Sequence, residues 1–217
     1  MVQVDLFGRA PEVIIDIHEV TNRRRETSIT IFLNMIKKEN IPYRIEKLDI
    51  GDLIFPAGYI IERKTVKDFC QSLFGTQDGK LRLKEQMNSL LEVGGRPILL
   101  LEGGLSVRYD PPNKSIYIPL TRRRVKERIW SVIEEEIKIH PNQFEGALRE
   151  IENKGIKVIK TFDAYHGALI LLSLLKEAKE KIRRNKRQGL PVVRTKPKLR
   201  TIQKQQLFFL SGLPGIS

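Results

Sequence analysis

Hydrophobic and polar residues follow two different periods along this chain. Residues 13–17, Val-Ile-Ile-Asp-Ile, form a short β-branched run that reads as a buried strand. Over 28–38 the apolar residues fall at Ile29, Phe32, Leu33 and Ile36, the spacing of a helix with one buried stripe, and Ser28 is its expected N-cap. Residues 43–48 alternate and predict a second strand. Residues 53–55 and 59–64 flank Pro56-Ala57-Gly58, a turn signal, so a β-hairpin is expected there. A short helix over 65–74 and a longer one over 80–92 lead to a core strand at 96–102, ended by Gly103-Gly104. The stretch 105–120 is less regular and contains Pro111-Pro112. Beyond it, the pattern predicts a charged amphipathic helix over 122–139, another over 141–153, a strand over 156–160 and a long final helix over 164–184. Strands alternating with helices imply an α/β sheet protein.

At 217 residues the chain is long enough for one substantial domain with its own core and a small appendage. Hydrophobic residues at 41% and charged residues at 30% exclude wholesale disorder. The longest apolar stretches, 97–101 and 167–175, read as a buried strand and a core helix. Neither approaches the roughly 20 residues that a membrane-spanning helix needs. Residues 1–7 lack the basic-then-apolar pattern of a secretory signal. The single cysteine, Cys70, excludes an intrachain disulfide framework and a cysteine-based zinc site. An intracellular, reducing compartment (cytoplasm or nucleoid) is expected.

Charge narrows the partners. The formal net charge is +13. Residues 176–204 hold twelve basic and two acidic residues, so nearly all of the excess sits in that one segment. A concentrated basic segment is the footprint of a polyanion partner such as DNA, RNA or an anionic membrane. A solvated helix end followed by a linker has the same composition. Residues 188–200, with Gly189, Pro191 and Pro197 among basic residues, read as that linker. Residues 201–217 begin a new unit with Leu207-Phe-Phe-Leu210.

The candidate chemistry lies between Asp52 and Asp68. A hairpin turning about Ala57 sets Asp52 opposite Glu62, and directly opposed residues have Cβ atoms roughly 5 Å apart. Side chains two apart share a face, so Lys64 points the same way as Glu62. Two carboxylates close together suit a hard cation such as Mg²⁺, which takes oxygen ligands and usually only one or two protein carboxylates. A cation held there favours attack of water on a phosphodiester, and the Lys64 ammonium can counter charge on the phosphate. A solvated hairpin with cross-strand ion pairs would show the same Asp-x9-Glu-x-Lys spacing.

Longer motifs carry a resemblance. Glu62-Arg63-Lys64-Thr-Val-Lys-Asp68 matches the Glu-Arg-Lys-x-x-x-Asp motif of the XPF family of structure-specific endonucleases, and it runs on into Phe69-Cys-Gln-Ser-Leu73. Leu48-Asp-Ile-Gly-Asp52 is similar to the family's Leu-Asp-Val-Gly-Asp. Ile14-Ile-Asp16-Ile-His18-Glu19 resembles its Val-Asp-x-Arg-Glu strand, and Ile98-Leu-Leu-Leu-Glu-Gly103 its later core strand. Asp78-Gly79 and Glu85-Gln86 resemble the segment between. The likeness covers 12–103 well and 142–184 loosely. It identifies the chain as similar to the short, archaeal-type XPF nucleases that lack a helicase domain.

That resemblance implies an α/β, restriction-endonuclease-like core, a central mixed sheet flanked by helices, with a basic C-terminal extension. It implies a lead-in over 1–11, a nuclease domain over 12–184 and a basic linker over 185–200. Asp16, Asp52 and Glu62 match the metal-binding carboxylates, for Mg²⁺ or Mn²⁺, and Lys64 matches the catalytic lysine. Arg63 and Asp68 complete the motif; strand alternation turns Arg63 to the face opposite Glu62, where it is expected to bridge Asp68 or position the phosphate. Thr65-x-x-Asp68 also resembles a helix capping box. His18 stands where the family usually has Arg, and Glu19 matches a supporting acid. If His18 faces the site, activity becomes pH-sensitive near neutrality.

Residues 105–140 look like an insertion relative to the family, with Arg122, Arg123 and Arg124 either on an exposed helix face or contacting DNA backbone. Arg183, Arg184, Lys186 and Arg187 are the expected phosphate contacts of the basic segment. Leu210-Ser-Gly212-Leu-Pro-Gly215-Ile resembles the hairpin of a helix-hairpin-helix element, with Gly212 and Gly215 allowing close approach to a phosphate; 201–217 would hold an incomplete first element.

The expected partners are branched DNA and a second subunit, as homodimer or as heterodimer with a homologue. A sliding clamp is a partner of some family members, although neither 203–209 nor 3–7 has the spacing of a clamp-binding peptide. Two other readings stay open: a catalytically inactive DNA-binding scaffold of the same fold, and a nuclease resembling the Holliday-junction resolvases.

Overall fold

The apolar runs of the sequence build a three-layer sandwich, seen in a computed structural model that describes residues 13–21, 26–73, 82–108, 115–123, 130–137 and 139–187. The strands are β1 (Val13–Asp16), β2 (Tyr43–Glu46), β3 (Leu53–Phe55), β4 (Tyr59–Thr65), β5 (Arg96–Glu102), β6 (Ser106–Arg108), β7 (Ser115–Arg123), β8 (Trp130–Ile137) and β9 (Lys157–Thr161). The helices are α1 (Ile17–Thr21), α2 (Ser28–Lys38), α3 (Val66–Leu73), α4 (Arg82–Glu92), α5 (Pro141–Asn153) and α6 (Ala164–Arg187).

A mixed six-stranded sheet runs in the order β2-β1-β3-β4-β5-β9. The pairs β1–β2, β4–β5 and β5–β9 are parallel, and β1–β3 and β3–β4 are antiparallel. Its central strands are apolar on both faces, as a covered sheet requires. On one face Ile15, Leu53, Ile61, Ile98 and Leu100 meet Phe32 and Ile36 of α2 and Leu171 and Leu175 of α6. On the other face Ile60, Leu99 and Leu101 meet Phe69 of α3, Met87 and Leu90 of α4, and Phe144 and Leu148 of α5.

Local chemistry explains the ends of these elements. Thr27, one residue before the expected Ser28, caps α2: its hydroxyl accepts the Thr30 N–H at 3.2 Å, while Thr30 Oγ1 accepts the Thr27 N–H at 2.9 Å. Ser28 instead lies buried in the crossing of α2 with α6, where a Cβ on Gly167 would fall 2.7 Å from Ser28 Cβ. The first strand ends at Asp16, and Ile17 already belongs to α1. The hairpin turns through Pro56–Gly58, with Ala57 at φ 60°.

One expectation fails. Residues 122–139 do not form a helix: β7 and β8 pair antiparallel from Ile116 opposite Ile137 to Arg123 opposite Trp130, and with β6 make a separate three-stranded sheet. Ile129, Ile133 and Ile137 repeat every four residues and mimic one helical stripe. The β-branched Ile116, Ile118 and Thr121 supply a strand partner from far along the chain, and a local window does not show such pairing. The insertion is therefore a β-sheet whose roots, Leu105 and Ile137, pack on the same core as α3, α4 and α5. The expectations for 1–11, for Asp78 and Gly79, for Arg124 and for 188–217 concern residues outside those described.

Candidate active site

Three acids lie just beyond one row of the sheet. Ile15 pairs with Leu53, and Leu53 with Ile61; Asp16, Asp52 and Glu62 each lie one residue beyond this row. There the Asp16 N–H donates to Asp52 O at 2.9 Å, and the Asp52 N–H donates to Ile61 O at 2.8 Å, so the bonding shifts by one residue just after the last pair of the hairpin. Gly51 makes this close approach possible. Its φ is +74°, and a Cβ there would lie 2.8 Å from Ile60 Cγ2 and 3.3 Å from Ile61 O.

By strand alternation Asp52, Glu62 and Lys64 share the sheet face of Ile60. The Glu62 carboxylate and the Lys64 ammonium are 4.0 Å apart, and Lys64 is only 8% exposed. Asp52 Oδ2 accepts the main-chain N–H of Arg63 at 2.7 Å. Burial, and next the neighbouring Glu62 charge, push the Asp52 carboxyl well above its ordinary range, although the Arg63 N–H bond pulls the other way. A proton or a cation relieves that repulsion. Two oxygen donors at the end of a sheet, with one lysine beside them, fit a hard divalent ion.

Asp16 also has a structural tie. It is 7% exposed, and its Oδ1 accepts the Leu48 N–H at 2.9 Å, tying down the chain after β2. Among the described residues no group of three or more His, Cys, Asp or Glu side chains is arranged to hold a metal ion.

Arg63 points to the opposite face, and its partner is not Asp68. Its Nε donates to Glu102 Oε2 at 2.8 Å and its Nη2 to Glu102 Oε1 at 3.2 Å; Glu19 lies 3.7 Å from Nη1. Burial works against the guanidinium charge, but these carboxylates outweigh it and raise the Arg63 pKa. Burial also pushes the Glu19 carboxyl up, partly offset by Arg63. Asp68 is engaged locally at the start of α3: its N–H donates to Thr65 Oγ1 at 3.0 Å, and the Thr65 hydroxyl donates to Asp68 Oδ2 at 2.6 Å. His18 is exposed on α1. Glu102 escapes sequence reasoning; its only signal is a carboxylate closing the apolar run of β5.

A family model for the ERCC4 domain matches residues 15–174. The chain belongs to the ERCC4-domain family. This XPF family comprises structure-specific nucleases, and the chain is a nuclease of that type. Two solved structures of XPF from Aeropyrum pernix, one in complex with DNA, are similar in fold. They are 24% and 23% identical in sequence, each with a TM-score of 0.50, covering 95% of this chain and 76% of that one. Among curated proteins none matches the chain. The ERCC4 match spans the three acids, Lys64 and the Arg63–Glu102 pair together.

The expected DNA contacts lie apart from this centre in sequence. Arg122 and Arg123 occupy the last two positions of β7, across from Ser131 and Trp130. Arg183 and Arg184 are exposed on α6, with Arg183 3.1 Å from Glu180. Lys186 and Arg187 close the same helix.

Proposed function

We propose that this chain is a divalent-metal-dependent endonuclease that cuts one strand of branched DNA near a junction, such as a 3′ flap or a fork, in DNA repair or recombination. The observation that carries the reading is the hairpin, whose register pairs Leu53 with Ile61 and so brings Asp52 near Glu62, with Lys64 4.0 Å from Glu62, on the two central strands of the sheet. Asp52 and Glu62 would hold Mg²⁺ or Mn²⁺. A cation bound there supplies a Lewis acid that favours attack of water on phosphorus. Lys64, with Nζ 4.0 Å from Glu62, presents positive charge to the phosphate as its negative charge grows. Attack breaks the P–O3′ bond and leaves 5′-phosphate and 3′-hydroxyl ends. The Arg63 N–H keeps Asp52 turned toward Glu62.

DNA as the substrate is supported by the family and by the Aeropyrum pernix XPF seen with DNA. We assign sequence-independent binding of phosphates to Arg122, Arg123, Arg124, Arg183, Arg184, Lys186 and Arg187, and to the backbone at Gly212 and Gly215. Replacing any one of these seven cations by alanine should flatten the log–log salt dependence of binding by about 0.9 on duplex DNA. A second subunit, and by family analogy a sliding clamp, belong to the same proposal.

The test is cleavage of 3′-flap DNA in Mg²⁺ by the wild type, Asp52→Ala and Glu62→Ala. Both variants should lose cleavage while DNA affinity stays within a few-fold. Undiminished cutting by either removes the site. Binding without cutting by the wild type favours the scaffold, and symmetric paired nicks in four-way junctions favour a resolvase.

A further inference from the structure

Arg63 serves two faces of the sheet with two parts of one residue. Its main-chain N–H supports Asp52 Oδ2 at 2.7 Å on the Ile60 face. Its side chain lies on the opposite face, which α2 and α6 cover, and meets both oxygens of Glu102. Glu102 is 9% exposed and sits at the carboxyl end of β5, one strand over from β4. Its Oε2 also accepts the N–H of Ser28, the first residue of α2, at 3.3 Å. One carboxylate thus ties together β5, β4 and the amino end of an 11-residue helix. A two-point guanidinium–carboxylate pair fixes orientation as well as distance. It has a second support in Glu19, 3.7 Å from Arg63.

We propose that Glu102 is a positioning residue for the hydrolysis: its hold on the Arg63 guanidinium fixes the main-chain N–H on which the Asp52 carboxylate rests, and so the spacing of Asp52, Glu62 and Lys64. Arg63 acts in the same way and does not touch the phosphate. The inference rests on the reading of Asp52, Glu62 and Lys64 as the catalytic group. A misplacement of about 1 Å in such a group costs on the order of 10²-fold in rate. The rival explanation is a buried ion pair that only supports the fold. The two differ in one respect. A buried pair replaced by apolar residues of similar volume often keeps or gains stability. A fold-only pair replaced in this way keeps activity too, whereas a positioning pair does not.

The experiment compares the wild type with Glu102→Asp, Glu102→Gln, the double variant Arg63→Met with Glu102→Leu, and Asp52→Ala. It measures the single-turnover cleavage rate at saturating enzyme and Mg²⁺, the affinity for the flap DNA, and the thermal midpoint. Glu102→Asp keeps the charge but draws the carboxylate back by one methylene. We expect it and Glu102→Gln to slow cleavage by about 10²-fold with DNA affinity within a few-fold. The double variant should recover the wild-type midpoint and remain as slow. A folded Glu102→Asp, or a double variant, that cuts at the wild-type rate overturns the proposal. If Asp52→Ala is dead while every Glu102 variant is fully active, only the positioning role falls. If Asp52→Ala is active, the catalytic reading falls and takes the positioning role with it.

Discussion

At its carboxyl end β4 carries three consecutive charged residues, and its two faces treat them in opposite ways. On one face Glu62 lies near Asp52 across the hairpin, and the nearby Lys64 is 4.0 Å from Glu62. Burial first, and then the neighbouring Glu62 charge, raise the Asp52 carboxyl there. On the other face Arg63 is satisfied by two oxygens of Glu102, and Glu102 by the start of α2. The first arrangement is the one proposed above to receive a cation and a phosphate. The second is a two-point ion pair tied to a helix start. Adjacent residues of one motif thus take different tasks because a strand sends alternate side chains to opposite faces.

Four substitutions sharpen this comparison. The largest effect belongs to the face of Glu62 and Lys64. Lys64→Ala should lower the cleavage rate by about 10²–10³-fold, the range for losing one group that stabilises developing charge. A single-turnover assay on flap DNA checks it, and a loss under ten-fold would move the lysine out of the reaction.

Next comes the coupling site, Gly51→Ala. A left-handed alanine costs about 1–2 kcal/mol, and overpacking against the buried Ile60 adds about 1–3 kcal/mol. Urea unfolding should show the sum, and Asp52 should lose its register with cleavage.

Asp52→Asn tests the excess charge without changing shape. Because the folded chain holds the Asp52 proton more tightly than the unfolded chain, the protonated form stabilises the fold at low pH. That contribution is lost as pH rises through the raised value. Asparagine cannot ionise and keeps it. At neutral pH and without divalent metal, the variant should melt above the wild type. The gap should close as pH falls below about 4, and Mg²⁺ should narrow it by stabilising the wild type alone. An equal midpoint at neutral pH would mean that ionising Asp52 beside Glu62 costs the fold nothing.

The smallest effect is Ala57→Gly at the turn. It relieves φ 60° but loosens the unfolded chain, so the two terms leave a change within about 1 kcal/mol and the register intact. A larger change in melting would show that the turn itself, and not the ladder beyond it, holds Asp52 near Glu62.

Much of this was legible in the residues, for identifiable reasons. Val13–Asp16, the hairpin about Ala57 and the α2 stripe are local patterns, and each forms where its own neighbours dictate. The pairing of Leu53 with Ile61 follows from a three-residue turn, so counting suffices. Thr65 and Asp68 cap α3 within four residues of chain. Apart from one-residue shifts at the ends of β1 and α2, the failures are long-range. Arg63 finds Glu102 thirty-nine residues away and not Asp68 five away. Asp16 gives an oxygen to Leu48 in a loop after another strand. Residues 122–137 look helical until β7 is laid beside β8.

By itself the sequence determined the mixed α/β character, the acidic hairpin with its lysine, and through the Glu-Arg-Lys-x-x-x-Asp motif the family. These depend on periodicity and on contacts across one short turn, which short windows contain. Only the tertiary structure decided that Arg63 clamps to Glu102, that Asp16 ties down the chain at Leu48, and that the insertion is a sheet. Those outcomes depend on which distant backbone N–H or carboxylate satisfies a buried polar group, and the demand for a partner names none until the strands are side by side.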